Sequence, residues 1–65
     1  MRNIHEEDDR RTINARLVDI MEKGKQEGEF TVKLKTDPRK LRRHFPGVDL
    51  DVREIGGRYI ISASW

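Results

Sequence analysis

The run Arg39-Lys40-Leu41-Arg42-Arg43-His44-Phe45 gathers the side chains of this sequence best suited to holding an anion. Arginine forks match phosphate oxygens, and lysine adds a compact point charge. Four cations on two helical turns can therefore follow a nucleic-acid backbone. No acidic residue interrupts them. In an α-helix, turning Leu41 and Phe45 toward a core turns Arg39, Lys40, Arg42 and Arg43 outward together. Arg58, at the tip of a C-terminal hairpin, extends the same charge. Lys33 and Lys35 add to it from the other face of a sheet, so one flat ligand does not easily touch all of them. Tyr59 and Trp65 are assigned to the core, which leaves no aromatic ring to stack bases. Contact with the backbone rather than with bases is expected. The plainer alternative is a solvated face whose last-turn cations favour the C-terminal end of their helix.

Other chemistry finds little footing. Asp49 and Asp51 put two carboxylates on one strand face, but two ligands make a poor cation site, and solvation of an edge strand accounts for them equally. His5 and His44 lie far apart in the sequence and have no cysteine to complete a metal site. Ser62 and Ser64 have no histidine base nearby in the sequence and no nucleophile elbow around them. Gly56-Gly57 is a turn rather than a phosphate loop, because no helix follows it. The expectation is no enzyme, no metal and no cofactor.

The elements that must position the basic run are legible from the C-terminus backwards. Val48 to Trp65 reads as a β-hairpin turning at Gly56-Gly57. With Ile55 opposite Arg58, Val52 meets Ile61, Leu50 meets Ala63 and Val48 meets Trp65, giving one apolar face. Arg53 with Ile60, Asp51 with Ser62 and Asp49 with Ser64 occupy the other face. A one-residue slip would set apolar against polar at every step, so turn and pattern select the same register.

Upstream, Asn3 to Lys23 reads as an amphipathic helix. Asn3 and Glu6 have capping-box spacing, and Glu6, Glu7, Asp8 and Asp9 form a solvated acidic start that suits the helix dipole. Glu6–Arg10, Glu7–Arg11 and Asp19–Lys23 are i,i+4 pairs of opposite sign. Ile13, Leu17, Ile20 and Met21 make the buried stripe, with Val18 at its margin. Gly24 stops the helix, and Lys25 to Glu29 reads as a polar loop. Phe30 to Thr36 then alternates as a half-buried strand, showing Lys33 and Lys35 outward. Asp37-Pro38 starts the short basic helix as N-cap and first helical residue, and Pro46-Gly47 ends it.

The fold expected is a two-layer α+β domain in the order α-β-α-β-β. Its three-stranded antiparallel sheet has spatial order 1-3-2, with a long N-terminal helix and a short helix on one face. Eleven residues, Asp37 to Gly47, are too few for a comfortable crossover between parallel neighbours, which favours this order. By element count it resembles the βαβαββ class less its first strand, several members of which bind nucleic acid.

A chain of 65 residues that is 34% hydrophobic and 40% charged is expected to form a single domain, residues 1–65, with a core barely large enough. Monomer and homodimer both fit that composition. No cysteine is present, so disulfides and thiolate metal sites are excluded. No apolar run reaches the length of a membrane span and no signal-peptide pattern opens the sequence, so a cytoplasmic setting is expected. Two functions stay open. One is a small regulatory or accessory protein contacting nucleic-acid phosphates through Arg39, Lys40, Arg42, Arg43 and Arg58. The other is a protein-binding adaptor or inhibitor docking through a sheet edge or the hairpin's solvent face. A third reading, an artificial scaffold with no natural partner, sits poorly with irregular loops and an arginine-rich short helix.

Overall fold

The computed structural model describes residues 4–65. Helix α1 spans Ile4–Glu22, strand β1 Glu27–Val32, a 3₁₀ helix η1 Pro38–His44, strand β2 Asp49–Ile55 and strand β3 Arg58–Ser64. The strands form one antiparallel sheet in the order β1-β3-β2, with both helices on one face. The least charged strand is thus central, and the strands carrying outward charge lie at the edges.

The hairpin folds as its pattern predicts. Gly56 and Gly57 have φ of +58° and +77°, the left-handed pair that a two-residue turn requires. Ile55 pairs with Arg58, Val52 with Ile61, Leu50 with Ala63 and Asp49 with Ser64. Ile13, Leu17, Val32, Leu41, Phe45, Leu50, Val52, Ile61 and Ala63 form the buried core. Phe30, Leu34, Val48, Tyr59 and Trp65 pack against it half-buried. The Trp65 amide donates to the Gln26 carbonyl at 3.0 Å, tying the last residue to the entrance of β1.

Helix α1 covers β1, while η1 covers β2 and touches α1. Its buried stripe is narrower than the sequence suggests. Ile13 and Leu17 are buried, Ile20 is half-buried, and Met21 is exposed along with Val18. Met21 lies one residue from the end of the helix, where the Gly24 amide bonds the Met21 carbonyl. The Asn3–Glu6 capping box lies outside the described residues because of Asn3.

Strand β1 starts three residues before its predicted position and ends at Val32. Glu27 to Glu29 therefore belong to the sheet, not to a loop. Gly28 pairs with Ala63 directly beneath α1, and a Cβ there would lie 2.6 Å from Ile20 Cδ1. Its glycine answers to the close approach of a helix rather than to a turn. The outward residues of β1 are Glu27, Glu29 and Thr31. Lys33 and Lys35, expected on that face, follow the end of the strand.

The acidic start of α1 is not wholly solvated. Asp9 is only 2% exposed. It accepts hydrogen bonds from the Lys35 amide at 2.9 Å, the Thr36 amide at 2.6 Å and the Thr36 hydroxyl at 2.5 Å. Lys35 Nζ meanwhile reaches Asp8 at 2.9 Å. Two adjacent aspartates of α1 thus hold the segment leading into η1. A buried carboxylate is tolerable only with such a donor set.

Candidate nucleic-acid interface

Asp37 caps η1 by accepting from the Arg39 amide at 3.0 Å, with Pro38 at the first helical position. The predicted element is there, but as a 3₁₀ helix rather than an α-helix, and that changes which side chains travel together. With three residues per turn, positions i and i+3 eclipse. Pro38 and Leu41 form the buried row. Arg39 and Arg42 follow a second row, and Lys40 and Arg43 a third. Phe45 reaches the core from the C-cap, after the helix has ended. The cations are all exposed, yet they diverge over two rows rather than forming the single α-helical stripe.

Two of them are held by carboxylates of this chain. Arg39 Nη1 lies 3.3 Å from Asp37, and Arg43 Nη2 lies 3.4 Å from Glu6 of α1. His44 Nε2 is 3.2 Å from the same Glu6 oxygen. Glu6 titrates below the usual carboxylate range, first through the His44 hydrogen bond and then through the charge of Arg43. Asp37 is likewise lowered, chiefly by the Arg39 amide. Lys40 and Arg42 make no ion pair among the described residues.

Of the residues singled out from sequence, Arg39, Lys40, Arg42 and Arg43 therefore sit together on η1. Arg58 does not join them: the register sets it with Ile60, Ser62 and Ser64 on the open sheet face. Lys35 is engaged by Asp8 and points back to α1.

The open face also holds Arg53 and four carboxylates. Glu27 and Asp49 flank Ser64, and Glu29 and Asp51 flank Ser62. Serines thus form the centre line and carboxylates the margins. Arg53 bridges the sheet to Glu29 at 3.2 Å, and the Ser62 hydroxyl donates to the same Glu29 oxygen at 3.0 Å. The four carboxylates and two serines, without Arg53, line a groove of about 1300 Å³ that also takes in Lys25 and continues past Trp65, at the end of the sheet, to Arg42. Among the described residues no set of three or more acidic, histidine or cysteine side chains is placed to hold a metal ion. No helix among them is long and apolar enough to cross a membrane.

Sequence reasoning missed this acidic face because it began β1 too late. Reading Gly28 as a close-approach glycine would have placed Glu27 and Glu29 across from Asp49 and Asp51. Comparison of the chain with protein-family models, curated proteins and solved structures finds no match in any of the three.

Proposed function

We propose that this chain is a small non-enzymatic binding protein that contacts nucleic-acid phosphates through η1, in a cytoplasmic setting. Lys40 and Arg42 are the primary contacts, and Arg39 and Arg43 are guanidinium groups oriented in advance by Asp37 and Glu6. One observation carries the reading: a seven-residue helix bearing four cations and no carboxylate of its own is anchored by Leu41 with every cation exposed. A side chain already braced by a carboxylate loses less conformational freedom when it meets a second oxygen acceptor. The divergent rows favour a curved backbone over a flat surface. Arg58 adds a contact only where a strand wraps around the hairpin tip.

The test is a salt-dependent titration with duplex and single-stranded oligonucleotides. Engagement of two to four phosphates gives a log–log salt slope of about −2 to −4 on duplex. The variant Lys40→Glu/Arg42→Glu should lower that slope by about 2 and abolish binding at moderate salt. Absence of low-salt binding, or indifference to that variant, would overturn the reading.

The acidic groove favours a second reading, docking of a protein partner across the open face or along an edge strand. Both edges of the sheet are unpaired among the described residues. Under this reading, substitutions on the open face remove partner binding and those on η1 do not.

A further inference from the structure

Glu27, Glu29, Asp49 and Asp51 line the groove with Lys25 and Arg42, an excess of two negative charges, while η1 carries only cations. The formal net charge is only +2, so two copies repel each other weakly while their unlike patches attract. The patches are also contiguous. Arg42 borders the groove in its own chain, so cation and carboxylates share one rim at the Trp65 end of the sheet. A patch that is self-complementary about its own rim is what a two-fold dimer needs.

From this we infer that the groove is occupied by η1 of a second copy of this chain. A two-fold axis at the rim carries each chain's Arg42 over the other's Asp49 and Asp51, with Lys40, on the neighbouring row, at the margin of the contact. At a rise of about 2 Å per residue, the seven residues of η1 span roughly 14 Å, close to the roughly 13 Å over which Val48 to Asp51 line the groove. The cations that make no ion pair among the described residues are the ones used. The inference stands apart from the phosphate reading but makes a prediction about it: Lys40 and Arg42 cannot serve a second copy and a phosphate backbone at once, so polyanion and dimer compete.

Sedimentation equilibrium of the nucleic-acid-free protein tests the dimer at ionic strengths of about 0.01 M and about 1 M, where the Debye length is roughly 30 and 3 Å. The expected result is dimer at low salt and monomer at high salt. Lys40→Glu/Arg42→Glu and Asp49→Lys/Asp51→Lys should each leave a monomer at low salt, while the chain carrying all four substitutions should dimerise again. The gentler Asp49→Asn/Asp51→Asn should weaken the dimer at least tenfold and leave oligonucleotide binding intact, which separates failure here from failure of the phosphate reading. Circular dichroism confirms that each variant is folded. A wild-type monomer at low salt, a dimer indifferent to either reversal, or a quadruple variant that stays monomeric would each overturn the inference.

Discussion

Two acidic stretches that look alike in the sequence end in opposite circumstances. Asp8-Asp9 is consumed by the fold: Asp9 is buried under two amides and a hydroxyl, and Asp8 is bound to Lys35. Asp49 and Asp51 remain exposed on the open sheet face and make no ion pair among the described residues. The first pair meets a loop whose backbone donors have no ladder to join, whereas the second faces away from every other element. A carboxylate becomes structural where unpaired N–H groups need it. Elsewhere it stays free to set the field that a partner meets.

The largest expected effect lies on the structural side. Asp9→Ala leaves two part-buried amides without an acceptor and should cost about 3 kcal/mol. At roughly 4–8 °C per kcal/mol, thermal denaturation would shift downward by roughly 12 °C or more. A loss below about 1 kcal/mol would mean that the two aspartate pairs differ less than their burial implies.

Gly28→Ala comes next, because its Cβ must displace Ile20 from a 2.6 Å approach. Overpacking of this kind costs about 1–3 kcal/mol. Ile20→Val relieves part of the clash, so the double variant should be less destabilised than the two losses added together, as read by urea denaturation.

The pH dependence is a smaller effect and belongs to the structural side. Glu6 and Asp8 are both lowered, chiefly by hydrogen bonds from His44 and Lys35 respectively. A carboxyl lowered by folding contributes its stability in full above its unfolded pKa, near 4, and loses it as pH falls through the lower folded value. Melting temperature should therefore fall on acidification below about pH 4. Glu6→Gln and Asp8→Asn should each flatten that limb.

The smallest effect is on the open face itself. Asp49→Asn/Asp51→Asn should change stability by no more than about 0.5 kcal/mol. A large loss would show that this face, too, holds the fold together.

The fold was largely legible because several signals agreed wherever it was read well. The turn glycines, the alternation along both hairpin strands and the charge on edge positions all demand the order β1-β3-β2. Asp37-Pro38 announced η1 correctly, but no pattern distinguishes seven residues of 3₁₀ from a short α-helix. The 3₁₀ form buries Leu41 within the helix and Phe45 at its C-cap, and with it went the expected single stripe of cations. Asp9 was legible in principle. Asp9, Ile13 and Leu17 lie four residues apart on one helical face, so the buried stripe begins with a carboxylate, and its charge hid that membership. Its donors are amides 26 and 27 residues away, which no local pattern reveals.

Held by a distant side chain rather than by a neighbouring strand, the amide protons of Lys35 and Thr36 sit in a stretch that regular structure does not protect. In deuterated solvent they should nevertheless be retained about as long as those of the central strand, and both should wash out together when Asp9 is replaced. A loop with the exchange behaviour of a sheet would be the signature of a single carboxylate that fastens the first helix to the segment leading into the basic one.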